Sequence, residues 1–386
     1  MRILDRALEP RHEFLRAFAG ERGGTDSVAL YEAIGDDAAW QVAQENDVTP
    51  IVGHRLLDAP GAHAVPARWR DAHLEGVRLL TAYMSELDRI AALLADHGIP
   101  LIALKNAGIT RGIYRCVGCS PMGDMDVLVE RRHFREAHRL LVDDGYQFEF
   151  RSPLEEVSLD AAEQGGGAEY WKLLPSGDKL WLELQWRPVA GRWLRPDQEP
   201  AADELMARSV LVAGSAVRLL CPEDNLLQVT LHAAKHSYVR APGFRLHLDV
   251  DRISRFQHVD WDAFLERVVS LQVKTPVFFS LAIPKELFDS PVPQPVLERL
   301  MPRRWKARLV GRWLQRAGLF EPEERKFSNA GFLVFTALQY DDLRGLWRAV
   351  FPETAWMRAR YGVRNSLLLP AYHARRLADL AFRRTL

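Results

Sequence analysis

Asp124 and Asp126 stand two residues apart at the head of the apolar run Met125, Val127, Leu128 and Val129. Alternate side chains of a strand share a face, so both carboxylates project the same way. Two acids on one buried face repel each other and lose hydration, and a cation or a proton makes such a pair tolerable. A third acid, Glu183, lies between Trp181 and Trp186. Strand alternation there puts Trp181, Glu183 and Gln185 on one face and Leu182, Leu184 and Trp186 on the other. Three carboxylates form a hard, all-oxygen ligand set of the kind Mg²⁺ or Mn²⁺ takes, and Mg²⁺ keeps substrate phosphates in its shell. The plain alternative is that Asp124 and Asp126 cap a turn or a strand edge.

Other residues could join them. Lys105 ends an apolar stretch where a helix begins, and Asn106 follows it. A helix start favours an anion, and a lysine adds a point charge; a surface lysine covering apolar groups is the competing account. His232, Lys235 and His236 share one helix face by their spacing. They could meet phosphate, bind zinc through His-x-x-x-His, or simply suit the end of a helix dipole. Cys116 and Cys119 have the spacing of a redox pair or half a zinc site. A second cysteine pair would be needed for a four-cysteine zinc site, and only Cys221 remains, so chance spacing also accounts for the pair. Residues 302–316 carry Arg303, Arg304, Lys306, Arg308, Arg312 and Arg316 around Trp305 and Trp313, and further arginines follow Met357. Such helices meet nucleic acid, acidic peptides or membrane surfaces, or are merely solvated.

The elements that must position these residues follow from periodicity. Helical patterns occupy residues 1–97, with Asp26 or Ser27 as a cap, a stretch at 36–46, a break at 60–66 and a long helix over 68–97. The period then changes. Strands are expected at 101–104, 124–130, 146–150, 169–174 and 179–187, with helices at 106–114 and 132–143; Gln164 to Ala168 reads as a flexible loop. Helices return after residue 197, at 222–236, 261–271, 302–316, 329–340, 343–351 and 370–386. This gives a helical segment 1–97, an α/β core 98–190 and a helical domain 191–386, an α+β class overall.

Composition narrows the function classes. Lys and Arg together number 51, as do Asp and Glu, so charge-driven binding to nucleic acid is not expected. Three cysteines and no secretory signal fit a reducing cytoplasm, and no apolar run reaches the length of a membrane span. A cytoplasmic, soluble protein is expected.

The order strand, Lys105, helix, Asp124-Met-Asp126, then Glu183 in a later strand resembles the polymerase-β-like nucleotidyltransferases, and within them the bacterial uncharacterised nucleotidyltransferase family. Members carry Leu-Lys-Gly, Arg-Pro-x-x-Asp-x-Asp and Glu-Leu-His-Trp segments. Here these read Leu104-Lys105-Asn106, Ser120-Pro121-Met122-Gly123-Asp124-Met125-Asp126 and Glu183-Leu184-Gln185-Trp186, so Asn106, Ser120 and Gln185 replace Gly, Arg and His. The resemblance implies a small polymerase-β-like mixed sheet between helical segments. It also implies a metal-dependent, ATP- or other NTP-using transferase moving a nucleotidyl group to a hydroxyl of a small molecule, sugar, peptide or protein. Asp126 would bridge two metals, with Asp124 on the nucleotide side and Glu183 on the acceptor side. Lys105, Asn106, Ser120, Lys235 and His236 would meet the nucleotide. Glycosyl or other group transfer from a nucleotide-linked donor, and a non-catalytic nucleotide- or peptide-binding or toxin–antitoxin module, are the competing readings.

Overall fold

The computed structural model describes residues 8–21, 27–59, 65–152, 157–190, 194–323, 325–352, 354–363 and 365–382. The expected cap Asp26, residues 60–64 of the expected break, Arg364 and the terminal residues 383–386 lie outside them. The class is α+β. Strands are β1 (Leu101–Ala103), β2 (Met125–Leu128), β3 (Gln147–Phe148), β4 (Gly167–Leu173), β5 (Lys179–Gln185), β6 (Val210–Leu211) and β7 (Val217–Leu219). Among the described residues they form one sheet in the order β3-β4-β5-β2-β1-β7-β6. It is mixed: β1 pairs antiparallel with β2 and parallel with β7, and β2 runs parallel to β5.

Alternation along the strands separates two environments. Leu101, Ala103, Met125, Val127, Leu182 and Leu184 pack into a core shared with the helices Ala67–Ala95 and Phe134–Asp143. Ile102, Leu104 and Leu128 face the other way, against Leu205, Met206 and Leu220. The acids of β2 and β5 lie at the end of this second face. A larger core joins the first helices, through Phe14, Leu15 and Phe18, to the C-terminal helices, through Phe244, Phe264 and Phe279. The N- and C-terminal helical segments thus bury one another's apolar faces.

Around the site, the sheet edge and one loop depart from the sequence reading. The sheet takes β6 and β7 from beyond residue 190, strands too short and too exposed at Val210 and Leu211 to show a period. The glycine-rich stretch is ordered: Ser158 caps the helix Leu159–Gly165 by accepting from the Ala161 N–H, and Gly166 ends it at φ +109°. The Gly166 carbonyl then accepts from the N–H groups of Trp186 and Arg187. A side chain at Gly166 would strike Arg187 as well as strain the backbone.

Candidate active site

The register of β2 against β5 places Asp126 directly beside Glu183. Asp124 lies just before β2, and the ligand oxygens of Asp124, Asp126 and Glu183 all fall within 4.8 Å of one another. Antiparallel β4 sets Glu169 opposite Glu183, which continues the acidic face. Arg151 crosses that face, with Nη2 2.5 Å from the Asp124 carboxylate and Nε 3.2 Å from Glu169.

Lys105 begins the helix Lys105–Gly112 at φ +49°, a left-handed backbone that costs a non-glycine residue roughly 1–2 kcal/mol. That turn points its side chain into the carboxylates. Nζ lies 2.5 Å from Asp126 Oδ1 and 3.7 Å from Glu183 Oε2, and the residue is buried. The helix can approach because Gly108 and Gly112 carry no Cβ: one added at Gly108 would lie 2.7 Å from the Ala103 carbonyl oxygen. Gln185, next on the Glu183 face, donates from Nε2 to Asp126 Oδ1 at 2.9 Å.

The electrostatics follow from burial and crowding. Burial pushes the Asp126 carboxyl well up; Lys105 opposes this, while Asp124 and Glu183 add to it. Burial also works against ionised Glu183, but Lys105, Lys235, a hydrogen bond with Asp126 and Arg151 outweigh it and hold Glu183 down to about 2. For Lys105, burial is outweighed by Asp126, Glu183 and Asp124, so its ammonium is held above the usual lysine value. An ammonium already fills the role of the cation that three clustered acids require. The all-oxygen donor set fits a divalent ion.

The remaining expected residues have distinct places. Lys235, last in the helix Pro222–Lys235, donates to the Val189 carbonyl at 3.1 Å, and its pKa is lowered, mostly by burial, with Glu183 opposing. His236 uses Nδ1–H on the Ala241 carbonyl at 2.6 Å; burial and then Lys235 push it down to about 3, so it is uncharged. His232 stacks edge-on against it. Asn106 braces the approach to the acids by donating to the Pro121 carbonyl at 3.3 Å, and its Oδ1 is buried without a partner. Ser120 is 1 % exposed, and its hydroxyl accepts from Arg252 Nη1 at 3.3 Å. The guanidinium of Arg252 also lies 3.9 Å over the Tyr114 ring and 3.3 Å from Glu21. Where the resembling family carries arginine at position 120, this chain buries one from the helix Arg245–Phe256 against a serine.

Arg151 and Arg252 were not visible as site residues in the sequence. Neither lies in a motif, and each reaches the site from a distant segment.

The fold and site therefore define an α+β protein with a carboxylate triad at the end of a mixed sheet, met by the buried Lys105 and the exposed Arg151. The chain belongs to the uncharacterised nucleotidyltransferase family, whose model matches residues 32–289. That is the family expected from the Lys105, Asp124–Asp126 and Glu183 segments, and membership supports nucleotidyl transfer as the general function, with a nucleotide as substrate. No curated protein and no solved structure matches the chain. Among the described residues no helix is long and apolar enough to cross a membrane.

Proposed function

We propose that this protein is a Mg²⁺- or Mn²⁺-dependent nucleotidyltransferase with a polymerase-β-like site, moving a nucleotidyl group from an NTP to a hydroxyl of a small molecule, sugar, peptide or protein. The observation that carries the reading is the in-register pairing of Asp126 with Glu183, with Asp124 and the Lys105 ammonium converging on them. In the reaction the acceptor oxygen forms a bond to the α-phosphorus, the bond to the β-phosphate breaks, and pyrophosphate leaves. Asp124, Asp126 and Glu183 would hold the ions, which when bound would lower the hydroxyl's pKa and offset charge on the phosphate.

The chain's own groups divide the rest. Glu183, ionised above about pH 2, would hold the acceptor hydroxyl by accepting its proton in a hydrogen bond. Lys105 would exchange Asp126 for a phosphate oxygen, and Lys235, close enough to influence Glu183, would add a second charge to the phosphates. Gln185 keeps Asp126 oriented through its amide N–H. Arg151 limits repulsion between Asp124 and Glu169.

The Lys105–Asp126 pair favours a second reading, a nucleotide-binding module in which the ammonium stands permanently in place of a metal. One experiment separates them. The protein is incubated with each α-³²P-labelled NTP, Mg²⁺ or Mn²⁺, and cell extract. Transfer of label that Asp126→Asn abolishes supports the enzyme. Nucleotide binding without any labelled acceptor, or undiminished labelling by the Asn variant, overturns it.

A further inference from the structure

A second cluster lies apart from the carboxylates. His54 is on the helix Thr49–Asp58, His73 is in the first turns of the helix Ala67–Ala95, and Cys116 precedes and Cys119 ends the turn Val117–Cys119. One ligand atom from each of the four lies within 4.8 Å of the other three. The geometry points to a structural Zn²⁺ site of the two-cysteine, two-histidine type, built from His54, His73, Cys116 and Cys119.

The ligand chemistry is specific. Zinc takes four nitrogen and sulfur ligands at the corners of a tetrahedron, with bonds of about 2.0–2.3 Å that set ligands roughly 3.3–3.8 Å apart. Soft thiolates with imidazoles select zinc and exclude Mg²⁺, so this site and the all-oxygen triad take different metals. All four corners come from protein, the mark of a structural site.

The His73 imidazole is oriented as a metal-bound one is. His73 Nδ1–H donates to the Pro50 carbonyl at 3.2 Å, which leaves Nε2 with its lone pair. His54 Nε2 lies 3.5 Å from the Asp58 carboxylate, at ion-pair rather than hydrogen-bond range. An oxygen partner on the far nitrogen fixes tautomer and ring direction in metal-bound histidines. The two rings stack at 4.7 Å.

The cysteines are free thiols with sulfurs 2.7 Å apart. That exceeds the disulfide bond of about 2.05 Å, and gripping zinc would open the pair by about 1 Å. Their turn lies hard on the long helix: a Cβ at Gly118 would sit 2.6 Å from Val77 Cγ2, so glycine is needed between the ligands. Zinc there would tie three elements together immediately before Ser120 and Pro121, which Arg252 and Asn106 hold in turn. The clamp would fix the loop that delivers Asp124 to the site.

The test is elemental analysis of the full chain purified without chelator, beside thiol titration and thermal unfolding. Expected is one zinc per chain, retained in Asp126→Asn and lost in both Cys119→Ser and His73→Ala. Co²⁺ in its place should give the bands of a tetrahedral thiolate complex, a readout that needs no activity. Should either variant fail to fold, release of one zinc from the native protein as a mercurial titrates Cys116 and Cys119 would support the site. Zinc far below one per chain with the two cysteines disulfide-bonded, or zinc retained after both substitutions, overturns it.

Discussion

Replacing Lys105 with methionine should uncover the charge it neutralises. Methionine keeps the stem's volume but removes the ammonium 2.5 Å from Asp126, a residue only 4 % exposed. Leaving one partner of a buried pair uncompensated costs about 3–5 kcal/mol. Protonation of Asp126 sets a ceiling on that cost. With an unfolded pKa of about 3.9, binding a proton at pH 7 costs about 1.36 kcal/mol for each of some three pH units, or about 4 kcal/mol. At pH 5 the same sum gives about 1.5 kcal/mol. The sign is that of an acid whose folded pKa is raised: the variant's lost stability returns as pH falls toward the unfolded value and grows again as pH rises. For a chain of this length, about 4 kcal/mol corresponds to a fall of roughly 5 °C in the unfolding midpoint. Thermal unfolding of both proteins between pH 5 and 7.5 measures this, with and without Mn²⁺, which should restore part of the deficit by replacing the lost cation. A deficit that is the same at pH 5 and 7.5 and indifferent to Mn²⁺ would refute the view of Lys105 as counter-ion to a crowded acid site.

Two further outcomes are expected. Gly108→Ala places a Cβ 2.7 Å from the Ala103 carbonyl oxygen, which must push the Lys105 helix off β1 and cost about 1–3 kcal/mol; an unchanged unfolding midpoint would show that the helix has slack. Asp249 is 6 % exposed, and burial pushes its carboxyl up to about 6 although Arg252 and Arg245 oppose this. Its folded pKa is therefore raised, so the stability of the protonated form is lost as pH rises from about 4 through 6. Asp249→Asn should gain up to about 3 kcal/mol above pH 6 and nothing below pH 4, read by denaturant titration; a variant less stable at pH 7.5 than the parent would contradict it.

Local order along the chain set much of the site. The alternation from Trp181 to Trp186 placed Glu183 and Gln185 on one face, and both do face Asp126. The spacing of Asp124 and Asp126 announced the acidic pair, and the 3.6-residue period announced the helix Ala67–Ala95 that supports the sheet from behind. These features depend only on how a strand or helix repeats, and that repeat is fixed by the backbone.

What joins the segments is decided elsewhere. The Cys116–Cys119 spacing left half a zinc site without partners, because His54 and His73 belong to two helices far earlier in the chain. Lys105 was expected at a phosphate; a left-handed turn and the close seat allowed by Gly108 bring it onto Asp126, a partner its own stretch does not announce. Arg151 reaches Asp124 across 27 residues, and Arg252 reaches Ser120 across 132. Strand register and the meeting of distant side chains are set by the packing of whole faces against one another, which no single stretch encodes. The sequence by itself determined which residues could do the chemistry and which way each faces on its own element. Only the tertiary structure decided that Asp126 lies beside Glu183, that two lysines attend them, and that two histidines complete the cysteine pair.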